Sequence, residues 1–117
     1  MTNALANRKC GPCSGKTEPL SAERVRELLA EVPRWRPSAD GKRIGRSWRV
    51  RDFMTGLDFF GRIADVAEAE DHHPDLHLAN YRDLTVELWT HAAGGLTDND
   101  FIMAAKIDSL EQPALKT

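Results

Sequence analysis

The feature that most constrains the fold is a long apolar repeat that ends shortly before Pro74. Asp52 is suited to cap a helix there, and the spacings of four, three, four and three residues are typical of an amphipathic helix lying across a sheet. The repeat consists of Phe53, Leu57, Phe60, Ala64 and Ala67, and is widened by Phe59, Ile63 and Val66. Because a proline ring clashes with helical geometry at the preceding residue, we expect His73 to be extended and His72 to stay near the last helical turn.

A β-hairpin is predicted before this helix. Trp35 opens a short extended segment, and Asp40-Gly41 is a typical hairpin turn. The return strand covers residues 43–50, and alternation places four of its side chains on one face: Ile44, Arg46, Trp48 and Val50. Arginines at 43, 46, 49 and 51 form a basic stripe, which we interpret as a solvated strand face and not as a site for an anionic partner.

Two further helices are predicted, one at each end of the chain. The first begins after Ser21, a good N-cap, and ends at Pro33; its apolar residues are Val25, Leu28, Leu29 and Val32. The last begins after Thr97, with Asp100 in the capping-box position, and covers residues 101–110. This last helix is apolar nearly all round, so we expect self-association through it in so small a domain.

Composition and the termini limit the remaining choices. A chain of 117 residues forms one domain, and we divide it into a flexible arm (residues 1–20), a domain (21–110) and a tail (111–117). The net charge of −2 gives no indication of a nucleic-acid partner. The sequence shows neither an apolar run of membrane-spanning length nor the apolar core of a signal peptide, so we expect a cytoplasmic protein without membrane contact.

Cys10 and Cys13 form a Cys-x-x-Cys pair in the arm. The spacing suits half of a zinc site or a redox pair, but a zinc site needs two more ligands and no second pair is present. We interpret the pair as a local knuckle or an incidental pair, and its role stays open.

All four histidines lie between residues 68 and 100. A short strand is predicted over residues 76–80 and a second over 83–90, with His91 directly after it. Imidazoles titrate near neutral pH, and their position at element ends suits proton transfer. Purely structural roles also fit these histidines: His72 could form hydrogen bonds to the last helical carbonyls, and His77 could be a solvated surface residue. A metal site is disfavoured, since Pro74 prevents a helical pair of His73 and His77.

One set of spacings resembles the signature of the pterin-4a-carbinolamine dehydratases. The chain reads Glu68, three residues, His72-His73-Pro74, six residues, Tyr81, nine residues, His91, eight residues, Asp100. The likeness covers residues 21–108 and includes the Ala-Ala-x-Ile-Asp ending of the last helix. The Lys-Cys-x-Pro-Cys sequence of residues 9–13 is similar to the plant-type branch of that family.

The resemblance implies an α+β domain of four antiparallel strands with three helices on one face. It implies dehydration of 4a-hydroxytetrahydropterin to quinonoid dihydropterin, which recycles a tetrahydrobiopterin-type cofactor, without a metal or redox cofactor of its own. The catalytic residues it implies are His72, His73 and His91. The residues it implies for substrate binding are Glu68, Pro74, Tyr81 and Asp100.

The resemblance also implies partners. Family members pair their sheets edge to edge as homodimers, and some assemble further into homotetramers through a helix bundle. The alternative function is that of a binding or assembly factor with a protein client, similar to a Rubisco assembly chaperone or to a dimerisation cofactor of a transcription factor. The complete histidine signature favours the enzyme. Local charges suggest His72, near Glu68 and Asp71 at a helix C-terminus, as the general acid and His91 as the base.

Overall fold

The computed structural model describes residues 4–11 and 17–111 and the backbone of residues 115–116. The three α-helices are α1 (Ala22–Leu29), α2 (Phe53–Glu70) and α3 (Asp98–Asp108). The strands are β1 (Arg36–Pro37), β2 (Ile44–Val50), β3 (Asp75–Ala79), β4 (Asp83–Leu88) and β5 (Leu115–Lys116). Two short 3-10 helices cover Ala4–Asn7 and His91–Ala93. None of the helices in this described part is long and apolar enough to cross a membrane.

The sheet is antiparallel with the order β1-β2-β4-β3, and the short β5 pairs with β2. Its centre is the β2–β4 pair, whose register runs from Ile44 opposite Leu88 to Arg49 opposite Asp83. Alternate residues of β2 and β4 are buried together with α2 and α3 in one apolar cluster, whereas the intervening residues face outward. The predicted four-stranded α+β fold with three helices is confirmed.

Helix α1 begins as predicted, because the Ser21 hydroxyl accepts a hydrogen bond from Arg24 N at 3.2 Å. It ends at Leu29, short of Pro33, and the chain continues in turns. Val32 is nevertheless fully buried. The apolar spacing therefore identified the buried residues correctly and placed the helix end too late.

Helix α2 is rotated relative to the predicted stripe. Its buried residues are Gly56, Phe59, Ile63 and Ala67. Phe53 and Leu57, which the repeat placed toward the core, are 48% and 41% exposed. The physical reason is Gly56: a Cβ there would lie 3.2 Å from Leu84 Cδ1 and 3.4 Å from Val50 Cγ2. The helix approaches the sheet most closely on its glycine side, so the neighbouring apolar stripe faces outward.

Helix α3 is covered by the N-terminal segment of the same chain. Leu5, in the first 3-10 helix, is only 3% exposed within the core cluster. Lys106 Nζ donates a hydrogen bond to the Ala6 carbonyl oxygen at 2.8 Å. The predicted arm is therefore packed on the domain over residues 4–11, and the apolar surface of α3 is buried without a second chain. The premise that α3 leaves an apolar surface uncovered was wrong, and self-association stays a prediction.

Arg46 corrects the interpretation of the basic stripe as solvated. It is 4% exposed on the inner face of β2, where its guanidinium binds Asp108 at 2.5 Å and Glu111 at 2.7 Å. Trp35 Nε1 also donates to Asp108, at 2.8 Å. Burial raises the pKa of Asp108, because the loss of hydration outweighs the opposing effects of Trp35 and Arg46.

Arg46→Met tests this buried ion pair. We expect the free energy of unfolding at neutral pH to fall by about 3 kcal/mol, the lower end for breaking a buried pair, because both carboxylates keep some contact with water. Because the pKa of Asp108 is raised in the folded protein, its protonated form contributes stability below that pKa, and this contribution is lost as the pH rises through it. At about pH 4 more of Asp108 is protonated, so less charge is left unpaired in Arg46→Met and the loss of unfolding free energy is smaller.

The matched control is Arg49→Met on the same strand. Arg49 is 59% exposed and lies 3.5 Å from Asp83, so its removal is expected to change stability by no more than about 0.5 kcal/mol. Chemical denaturation of both variants gives the comparison. Equal losses in the two variants would contradict the structural role of Arg46.

Candidate active site

The site begins where α2 ends. Asp71 takes the left-handed conformation, with φ 52° and ψ 43°, and the following residue, His72, still donates its backbone N–H to the Ala67 carbonyl at 3.2 Å. Pro74 then directs the chain into β3. The two adjacent imidazoles at this corner lie in different environments. The side chain of His72 is 11% exposed, and that of His73 is 55% exposed.

Asp100, in the first turn of α3, is fully buried and carries the central hydrogen-bond network. His72 Nε2 donates to Asp100 Oδ1 at 2.7 Å. Thr90 Oγ1 and the backbone N–H of Thr97 donate to Oδ2 at 2.8 and 3.0 Å. The Thr97 hydroxyl lies 2.8 Å from that of Thr90. One carboxylate therefore joins the end of α2, the end of β4 and the start of α3.

This network sets the chemistry of His72. With Nε2–H bonded to a carboxylate, Nδ1 is the nitrogen left to exchange a proton. Three donors satisfy the hydrogen-bonding capacity of the buried Asp100 carboxylate.

Glu68 is paired with His73 and not with His72. Its Oε2 lies 2.5 Å from His73 Nε2, and both side chains are largely exposed. The sequence placed Glu68 near His72, at the C-terminus of the helix. The left-handed turn at Asp71 instead brings the extended His73 back toward Glu68.

His91 opens the 3-10 turn after β4. The preceding side chain, Thr90, is buried and points to Asp100. The imidazole of His91 is exposed and lies against the indole of Trp89, with 3.8 Å between ring centroids. Because Asp75 at the start of β3 pairs with a residue near the end of β4, the chain places all three candidate histidines at one end of the β3–β4 hairpin.

Tyr81 lies at the other end of that hairpin. It sits in the β3–β4 turn with φ 52° and is 54% exposed. The five residues of β3 separate it from the His72–His73 corner, a span of about 13 Å. His77 lies between them on β3, where its Nε2 is 2.9 Å from Glu87 Oε1. Within one chain, the structure does not bring Tyr81 to the histidines.

Sequence reasoning missed the two threonines that complete the network. Thr97 was recognised only as a helix start, although its spacing to Asp100 places a carboxylate oxygen on the Thr97 backbone. Thr90 carried no signal of its own, because its contact with Asp100 depends on how β4 meets α3.

The fold is that of the pterin dehydratases. A crystal structure described as a transcriptional coactivator/pterin dehydratase from Brucella melitensis superposes with a TM-score of 0.74 and 32% identity, covering 80% of this chain and 98% of that one. The family model described as "Pterin 4 alpha carbinolamine dehydratase" matches residues 18–110. The chain belongs to the pterin-4a-carbinolamine dehydratase family, as the signature predicted.

Two named relatives give the same result. The chain is 48% identical over 110 residues to pterin-4-alpha-carbinolamine dehydratase 2, mitochondrial, of Arabidopsis thaliana, covering 92% of this chain and 59% of the relative. It is 41% identical to a protein of Halorhodospira halophila provisionally named for the same dehydratase, covering 92% and 97%. The chain thus spans about three fifths of the Arabidopsis protein and nearly all of the bacterial one. The prediction of a dehydratase is confirmed at the level of the family, and the alternative of a binding or assembly factor is not favoured.

Asp100→Asn tests the network. An amide would turn an NH₂ group toward hydrogen-bond donors, leaving at least one buried donor unsatisfied, so we expect the free energy of unfolding to fall by about 1–3 kcal/mol. Asp98→Asn is the matched control: this residue lies in the same helical turn, is 39% exposed and pairs with Arg8 at 3.4 Å. Urea denaturation measures both, and an equal, small loss in each would contradict the central role of Asp100.

Proposed function

We propose that the chain dehydrates 4a-hydroxytetrahydropterin to quinonoid dihydropterin through histidine acid/base catalysis. In this step the C4a–O bond breaks, the hydroxyl leaves as water with an added proton, and N5 loses a proton as the C4a–N5 double bond forms. No electrons enter or leave. The observation that supports it best is the hydrogen bond from His72 to the fully buried Asp100. The same carboxylate accepts a hydrogen bond from Thr90, the residue directly before His91.

His72 is the proposed general acid. Its Nε2 is hydrogen-bonded to Asp100, which orients the ring and leaves Nδ1 to deliver a proton to the departing hydroxyl. His91 is the proposed base, because no described residue forms a hydrogen bond or an ion pair with its imidazole, and a neutral imidazole can accept the N5 proton.

His73 and Glu68 form the proposed outer pair of the site. The carboxylate of Glu68 orients the exposed imidazole of His73 toward the substrate, and Pro74 fixes the extended backbone before it. Tyr81 stays outside this proposal within one chain, since it lies at the far end of the hairpin.

A cytoplasmic location and a pterin as the small-molecule partner complete the proposal. The Arabidopsis relative is named as mitochondrial, which describes that longer protein. A cytoplasmic location for this chain therefore stays a prediction.

Alanine variants test the acid/base roles. We expect His72→Ala and His91→Ala each to lower kcat by about a hundred- to ten-thousand-fold, as is typical for positioned acid/base groups. His77→Ala is the matched control, because His77 also pairs with a carboxylate and is 56% exposed but lies on β3 outside the proposed site. Stopped-flow dehydration of 4a-hydroxytetrahydropterin gives the rates. Wild-type rates in both His72→Ala and His91→Ala would refute the mechanism, and an inactive wild-type chain would refute the function.

Self-association belongs to this proposal as well, and we place it on α2. Phe53, Met54 and Leu57 are 48%, 71% and 41% exposed on the first two turns of that helix. They are three of the four large apolar side chains found exposed in the described residues. An apolar face of this kind is a typical surface for helix packing between subunits, so a homodimer or homotetramer through α2 replaces the expected contact through α3.

Leu57→Glu tests the α2 contact. A charge in the middle of a buried apolar interface is costly, so we expect the molar mass in solution to fall by one assembly step. Ser47→Glu adds the same charge to the exposed outer face of β2 and is expected to leave the mass unchanged. Light scattering after size-exclusion chromatography measures both. A monomeric wild-type chain would contradict the proposed assembly.

A further inference from the structure

Trp89 is the tryptophan that lies outside the core. Trp35 and Trp48 are each 2% exposed within the apolar cluster, whereas Trp89 is half-buried on the outer side of the chain just after β4. Its indole meets the imidazole of His91 with 3.8 Å between centroids and 46° between the planes. The contact joins residues two apart across the end of the strand.

Arg43, the residue directly before β2, contacts the indole of Trp89. Its guanidinium carbon lies 4.7 Å from the centre of the Trp89 ring, a distance typical of a cation–π contact. The same guanidinium lies 3.5 Å from Asp75 and 4.0 Å from Glu87. Arg43 therefore links the ring that touches His91 to Asp75 at the start of β3 and to Glu87 near the end of β4.

The partner of His91 differs in kind from that of every other histidine. His72, His73 and His77 each have a carboxylate oxygen within hydrogen-bonding distance. His91 has an aromatic ring instead. A carboxylate would orient an imidazole and also stabilise its charged form, whereas an indole can restrict the ring without supplying a full negative charge.

We infer that Trp89 is a positioning residue for His91 and that Arg43 holds Trp89 in place. This inference rests on the proposed function, in which His91 accepts the proton from N5. An exposed imidazole in a short turn can rotate about both side-chain torsions, and proton transfer needs a narrow range of orientations. The tilted ring contact restricts these torsions and leaves the imidazole nitrogens at the ring edge open to substrate.

The kinetic test separates positioning from substrate binding. We expect Trp89→Ala to lower kcat about tenfold, because loss of alignment slows proton transfer, with KM changed by less than about twofold. Trp89→Phe keeps an aromatic face and is expected to restore most of the rate. In a His91→Ala background, Trp89→Ala is expected to have no further effect, since a residue that acts through His91 cannot act without it. A raised KM with unchanged kcat, or equal losses in both backgrounds, would overturn the inference.

Arg43→Gln tests the outer support, with Arg49→Gln as its matched control. Arg43 directly precedes β2 and Arg49 lies near its end, and both pair with carboxylates. Arg49, however, contacts Asp83 at the start of β4, away from Trp89. We expect Arg43→Gln to lower kcat by about threefold, in line with a cation–π contact at a partly exposed site. Arg49→Gln is expected to leave kcat unchanged. Equal rates in the two variants would overturn the role given to Arg43.

A spectroscopic readout makes the inference independent of turnover. We expect the indole ring current to shift the NMR signals of the His91 ring protons in the wild-type chain. Trp89→Ala is expected to remove this shift and Arg49→Gln to keep it. Unmoved His91 signals in Trp89→Ala would overturn the inference alone. A wild-type chain without dehydratase activity but with the shift would overturn the proposed function, and the catalytic part of the inference with it.

Discussion

The hydrogen bonds to Asp100 are the constraint on which the rest of the structure depends. Burying an ionised carboxylate completely is costly unless donors surround it. Here the donors come from three separate parts of the chain: His72 after α2, Thr90 after β4 and Thr97 before α3. These elements can meet only if the helices close correctly on the sheet. The same contacts therefore stabilise the fold and orient the imidazole proposed to do the chemistry.

A second constraint comes from residues that precede the part matched by the family model, which begins at residue 18. Glu70 accepts a hydrogen bond from the Cys10 backbone at 2.8 Å. Asn99 accepts from the Gly11 N–H at 2.9 Å and donates to its carbonyl at 2.7 Å. Glu70 and Asn99 lie close in sequence to the two ends of the His72–Asp100 bond. The N-terminal segment therefore forms hydrogen bonds to the end of α2 and to the start of α3, the two elements that the His72–Asp100 bond also joins. The other member of the cysteine pair, Cys13, lies outside the described residues.

Local chemistry in the sequence was enough to predict much of the fold and part of the site. The Ser21 cap and the alternating faces of β2 follow from rules that act within a few residues. The rotation of α2 could not be predicted in this way, because its apolar residues form two adjacent stripes of similar strength. What selects between them is the close approach of Gly56 to Leu84 in the sheet. The burial of α3 escaped prediction for a similar reason: its cover, Leu5, is nearly a hundred residues away along the chain.

The site shows why spacing alone cannot assign roles to histidines. In the signature Asp100 follows His91 by eight intervening residues, yet its carboxylate is bonded to His72, 28 positions earlier. Glu68 precedes His72 but pairs with the next residue, His73. Three chemically identical side chains thus receive a buried carboxylate, an exposed carboxylate and an indole as partners. The proposed division between acid and base therefore rests on partners that only the fold brings together.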